Sequence, residues 1–239
     1  MSNGTDPLPG VQAPAGAAPT GSPAGSPTGS PPASPLPVFL STEHWSLLGT
    51  RSLTWSEVMS RIQIHLTVVS AFLVVLALTA QATGFGTPFR VLAIGLASAA
   101  LVMGVLTAVR VTTASREDAD LIRAMNRIRH AYVDLVPELQ PYLTASTHDD
   151  AAGLMRTNAL GHPRNQALHV IGSTGIFLMV VNALVAGTLV ALVTDTAGAG
   201  PAVTALAGSF ATVAYCAGHI GVGRRTFTTH HDIRFPSDA

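Results

Sequence analysis

The sequence predicts an all-α membrane protein: four transmembrane helices in two hairpins, an amphipathic helical cytoplasmic loop between them and a disordered N-terminal tail. Three observations lead there. The chain has 239 residues, of which 48% are hydrophobic and 11% charged, whereas a soluble domain carries about 25% charged residues. Four apolar stretches each approach the roughly 20 residues that cross a hydrocarbon core of about 30 Å. The 13 basic residues, all arginine, gather almost entirely on one side of those stretches.

Residues 1–37 form the first unit. Ser22-Pro23, Ser26-Pro27, Ser30-Pro31-Pro32 and Ser34-Pro35 recur among Gly, Ala and Thr. So few large apolar side chains do not offset the entropy of ordering the backbone, which predicts a disordered spacer. The unit has neither a basic n-region nor a continuous apolar h-region and does not read as a signal peptide.

Residues 38–61 read as an interfacial helical segment. Ser41 to Leu48 suggests a short helix ended at Gly49, and Thr54-Trp55-Ser56-Glu57 fits a capping box that would start the first membrane helix near Trp55. Trp45 and Trp55, the only tryptophans, are expected to anchor in the headgroup zone, together with Arg61, Arg110, Arg224 and Arg225 at the span ends.

The first hairpin, residues 62–111, pairs spans 62–82 and 89–109 across the turn Thr83 to Pro88. The second, residues 168–222, pairs spans 168–193 and 202–222 across Asp195 to Pro201. Gly and Pro punctuate both turns. Twelve arginines flank the spans on the side of the termini and the central loop, and only Arg90 lies on the other. This asymmetry predicts a cytoplasmic location for both termini and for the loop. The hairpins share length and turn chemistry but few matching residues, so a duplication is not established.

The loop, residues 112–167, is too long for a bare connection. Leu121, Met125, Ile128, Tyr132 and Leu135 recur at helical spacing, with Asp120, Arg123, Arg127 and Asp134 opposite them. A helix over 116–136 follows, continuing the second span or packing on its neighbours, with contact between subunits as the next reading. Pro137 and Pro141 then interrupt it, and a short helix capped near Thr147 to Asp149 is expected over Ala151 to Arg156. Residues 223–239 read as a solvated cytoplasmic tail containing His230-His231-Asp232.

Chemistry is sparse. Cys216 is the only cysteine, which excludes an intrachain disulfide and a cysteine zinc site and leaves a packing role. His65, His169 and His219 lie at similar depth near the loop side and are weak candidates for a metal or proton site. No carboxylate accompanies them at that depth, and ordinary interfacial histidine is the favoured reading. Asn182 lies near the middle of the third span, where an Asn more often bonds a neighbouring helix than a solute. Gly95 with Ala99, Ala100 with Gly104 and Ala183 with Gly187 are spaced for close helix contact.

The segments Ser41 to Trp55 and Ala124-Met125-Asn126-Arg127-Ile128-Arg129-His130-Ala131-Tyr132, with the first span between them, resemble a group of uncharacterised actinobacterial four-span membrane proteins. The absence of lysine and the abundance of Ala, Gly and Pro agree with a bacterial genome rich in G and C. The resemblance covers residues 40–195 and implies a bacterial inner-membrane location; that group has no known activity and lends no functional residues. The expected role is a non-enzymatic scaffold, regulator or stress-related membrane component without a cofactor. Its partners would be the lipid bilayer and a second copy of the chain, with no nucleic acid and no identifiable small molecule. An oligomeric pore lined by Thr67, Ser70, Ser98 or Asn182 is the alternative. An enzyme joining His130, His162 or His169 to Asp134 is third.

Overall fold

A computed structural model describes residues 34–159, 173–227 and 232–237, with the side chains of 225–227 left out. The expectations for residues 1–33, for His162, Arg164, His169, His230 and His231, for the first turn of the third span and for the side chain of Arg225 lie outside these described residues.

Among the described residues all regular structure is helical. Helix α1 spans Leu36–Thr83 and α2 spans Thr87–Leu135. A 3-10 helix, Pro137–Tyr142, and the short α3, Ala151–Asn158, follow. Helices α4, Thr174–Thr196, and α5, Pro201–Phe227, complete the regular structure among the described residues. Helices α1, α2, α4 and α5 are long and apolar enough to cross a membrane, the architecture of a multi-pass membrane protein.

The 48 residues of α1 and the 49 of α2 are the main departure from expectation. At a rise of 1.5 Å per residue each runs for roughly 70 Å, more than twice a hydrocarbon core. The interfacial segment 38–61 is therefore not a separate helix: α1 passes through Gly49 without a break, and Thr54 lies in its interior rather than at a cap. An exposed glycine costs a helix only about 1 kcal/mol relative to Ala. That deficit is offset from outside the helix, because Arg51 and Trp55 just beyond Gly49 are both bonded to α2.

The second span likewise runs without interruption into the loop, as part of α2. It stops at Val136, whose amide still donates to the Tyr132 carbonyl at 2.9 Å. Pro137 disfavours the helical conformation of its predecessor and supplies no amide of its own. The buried line of this segment is rotated from the apolar count. Ile122, Met125 and Ile128 are buried together with the polar Asp118 and Asn126, whereas Leu135 is exposed. Helix α3 is capped by the Asp150 carboxylate, which accepts from the Gly153 amide at 2.7 Å, immediately after the stretch expected to hold the cap.

Helices α2 and α4 form the centre, with α1 packed along α2 and α5 along α4. Val58 and Ile62 of α1, Ala108, Val111 and Ala114 of α2 and Leu178 of α4 make one buried cluster, against which Trp55 and Leu66 pack. Large apolar side chains such as Leu73, Leu106, Leu206 and Phe210 point outward. Exposed side chains of that kind on helices apolar enough to span a membrane suit a lipid environment.

The two connections at the turn end use glycines at positive φ, Gly84 at 64° and Gly198 at 84°, a region that other residues avoid. Beside them an ion pair between Arg90 of α2 and Asp195 of α4, at 3.3 Å, links the two helices.

Candidate functional site

The polar chemistry concentrates at the opposite, loop end, in three connected groups. In the first, Asp118 of α2 is buried and accepts from Arg51 through Nε at 2.6 Å and Nη2 at 3.3 Å, and from the Trp55 indole at 2.7 Å. A carboxylate removed from water needs such a set of donors. Trp55, expected as a headgroup anchor, is half-buried and bonded to α2, while Trp45 is 72% exposed.

The second group is an ion ladder on the same two helices. Glu57 pairs with Arg61 at 2.9 Å and Arg110 at 2.8 Å, and Arg110 reaches Glu117 at 3.1 Å. Hydrogen bonds from Arg110, then from Arg61, hold the exposed Glu57 carboxyl below its usual range. Both arginines expected as lipid anchors are therefore engaged across or along the helices. Arg224 is exposed.

The third group binds the C-terminal segment. Asp149 is completely buried and accepts from the Arg127 guanidinium at 2.6 Å and from the backbone amides of Arg234 and Phe235, the latter at 2.9 Å. Burial pushes its carboxyl up, and the hydrogen bonds from the Arg234 and Phe235 amides and Arg127 outweigh it, leaving the group below its usual range. Asp150 accepts from the amide and hydroxyl of Ser237 besides capping α3. Arg127 also donates to the Asp232 carbonyl. The Phe235 ring stacks on His130 with centroids 4.0 Å apart. The described part of the tail, residues 232–237, is accordingly docked and not solvated throughout.

Beneath this clasp, Asn126 is fully buried. Its amide donates to the His148 carbonyl at 2.7 Å, and its oxygen accepts from Arg129 at 2.7 Å and Thr157 at 3.0 Å. Nearby, His44 of α1 stacks on Tyr132 of α2 with centroids 6.0 Å apart. Burial, then the positive charge of Arg129, lowers the His44 pKa and keeps the ring neutral near pH 7.

Within the spans, His65 and Asn182 are both buried and face each other. Neither imidazole nitrogen of His65 nor either amide atom of Asn182 reaches hydrogen-bond geometry. Gly104 of α2 lies directly against the Asn182 amide, so that a Cβ there would collide with it. Gly187 of α4 similarly meets Gly208 and Thr212 of α5. Gly95, by contrast, has open space around it among the described residues. The candidate pore residues do not share one face: Thr67 and Ser70 are exposed, and each hydroxyl donates to its own helix.

His219 lies apart from His65, stacked on Tyr215 and lining a groove between α2 and α5. Among the described residues no three metal-capable side chains converge. His130 stands 3.8 Å from Asp134 one turn away, its ring already covered by Phe235.

Sequence reasoning missed Asp118, Asn126, Asp149 and Asp150. For the first two a signal existed, since positions 118, 122, 125, 126 and 129 follow helical spacing on a single stripe. An apolar count passes over that stripe, because two of its members are the polar Asp118 and Asn126. For Asp149 and Asp150 nothing local marks a partner 85 to 87 residues away. Comparison with protein-family models, curated proteins and solved structures found no match.

Proposed function

We propose that this chain is a non-enzymatic scaffold or regulatory component of a bacterial inner membrane, built as two transmembrane hairpins with both termini and the loop in the cytoplasm. Its working part is the folded region outside the lipid: the outer halves of α1 and α2, the loop with α3 and the docked tail. The observation that carries this reading is the clasp on Asp149, where α2, the loop and the C-terminal segment meet on one buried carboxylate. Asn126 there is bonded through both its amide nitrogen and its oxygen, which suits a rigid platform. The arginine asymmetry supports the cytoplasmic placement. Association of copies through the spans or through the 116–136 segment is compatible with the exposed apolar surface.

Topology is tested with single cysteines in a Cys216→Ser background and an impermeant maleimide on intact cells. Ala197→Cys is expected to label, and Asp120→Cys only after permeabilisation; the reverse pattern overturns the orientation. An oligomeric pore is the second reading, favoured by the unbonded His65 and Asn182 pair inside the spans. Purified protein in liposomes is expected to pass no more potassium or glycerol than empty liposomes. A flux that Asn182→Leu abolishes would sink the scaffold reading.

A further inference from the structure

Helix α5 packs along α4 and not along α2, which leaves an open groove of about 480 Å³ between α2 and α5. Its volume falls in the range of ordinary ligand pockets, roughly 300–1,000 Å³. Its lining changes character along its length. Val105 and Val109 of α2 and Tyr215 of α5 lie within the spans, and Arg116 closes the loop end, with His219 between. Arg116 is seven residues past Val109, hence roughly 10 Å farther along the axis, beside the headgroup layer that flanks the hydrocarbon.

Arg116 also differs in its electrostatics from most arginines of α2; Arg129 likewise lacks a carboxylate among the described residues but donates to Asn126 at 2.7 Å. Arg110, Arg123 and Arg127 on the same helix each meet a carboxylate, at 2.8 Å to Glu57, 2.8 Å to Asp120 and 2.6 Å to Asp149. Arg116 has no carboxylate partner among the described residues and is exposed. The adjacent Glu117 is bonded to Arg110. The hydroxyls of Thr112 and Thr113 donate to their own helix at 2.9 and 3.1 Å, and the Arg116 guanidinium places a positive charge at the mouth of the groove.

An apolar channel at acyl-chain depth that ends in an unpaired guanidinium at phosphate depth matches an anionic amphiphile. We propose that this groove binds an anionic phospholipid of the loop-side leaflet, one acyl chain lying between α2 and α5 and the phosphate engaging Arg116. Guanidinium suits phosphate because its planar donors bind two oxygens at once. The proposal rests on the four helices spanning the bilayer and is independent of which side of the membrane the loop occupies.

The test uses the full chain in nanodiscs made from equal parts phosphatidylglycerol and phosphatidylcholine, with retained lipid counted by native mass spectrometry after release into detergent. Wild type is expected to retain phosphatidylglycerol preferentially. Arg116→Gln should lower that preference roughly fivefold, the effect of about 1 kcal/mol for one cation near a lipid surface, and Arg116→Lys should keep most of it. Gly218→Leu fills the groove from a position with open space around it, and should remove the retained lipid of both kinds. Arg156→Gln, outside the groove, should change nothing. Unchanged preference in Arg116→Gln, or lipid still retained in Gly218→Leu, overturns the site. Loss of a dimer in Gly218→Leu, with no lipid retained by wild type, assigns the groove to a second copy and also overturns it. Failure of wild type to enter nanodiscs as a helical protein would instead refute the spanning architecture, and the site with it.

Discussion

Asp149 orders the meeting of loop and tail, because its carboxylate completes the bonding of two backbone amides and an arginine at once. Replacing it with Asn halves its acceptor capacity and removes the charge that Arg127 faces. Each buried donor left unmet costs about 1–3 kcal/mol. Asp149→Asn is therefore expected to release the tail, read as loss of hydrogen-exchange protection at the Arg234 and Phe235 amides with overall helicity retained. The same bonds give a pH dependence. The folded carboxyl titrates below its unfolded value of about 3.9. Docking is consequently fully stabilised above that pH and weakens as pH falls through the lower, folded value. Tail protection that faded between pH 7 and pH 5 would contradict this. At the other buried polar contact, Gly104→Ala places a Cβ on the Asn182 amide, an overpacking worth roughly 1–3 kcal/mol. Asn182→Ala should restore most of the loss in a double-mutant cycle of thermal stability, and strict additivity would show that the two residues do not touch.

Helix α1 shows what local sequence rules weigh correctly and where tertiary contacts override them. The apolar stretch from Ile62 to Ala82 was legible as a span because lipid demands an uncharged face in every direction. The break at Gly49 and the start at Thr54 were not, since both follow from local propensity, and the bonds of Arg51 and Trp55 to Asp118 decide the matter from another helix. Two measurements separate these contributions. Gly49 is exposed with open space around it, so Gly49→Ala is expected to raise thermal stability, by about 0.5–1 kcal/mol. A decrease would mean that α1 does bend there. In a Trp45→Phe background, Asp118→Ala should shift the remaining Trp55 emission to the red as the indole loses its partner and meets water. An unchanged spectrum would place Trp55 away from Asp118. The small-residue rule was similarly half legible: it found Gly104 and Gly187, included the idle Gly95, and overlooked Gly208, because spacing alone does not say which face meets a neighbour.

For the whole molecule, the decisive quantity is where the bilayer ends along two helices far longer than it is thick. If lipid covers the turn end of α2, the roughly 20 residues from Thr87 onward occupy the hydrocarbon and the remainder stands free of it. Side-chain chemistry agrees: Val102, Leu106 and Val109 are exposed and apolar, whereas Arg116, Glu117 and Asp120 are exposed and charged. At the turn end Arg90 and Asp195 pair the start of α2 with the end of α4 and level the two helices. Helix α4, 23 residues long, then spans roughly 35 Å, enough to cross once with little overhang. A nitroxide scan along α2 in liposomes tests this arrangement. Oxygen accessibility is expected to exceed that of a water-soluble nickel complex at Val102, Leu106 and Val109, with the order reversed at Glu117 and Asp120. On α5, the same reversal is expected between Val213 and Arg224, because the two helices meet the same membrane surface. A crossover on α2 displaced to Asp134 would immerse the ion ladder and the clasp in lipid, where their charges would be too costly to keep. Such a result would refute the division of the chain into a spanning part and a folded part outside the bilayer.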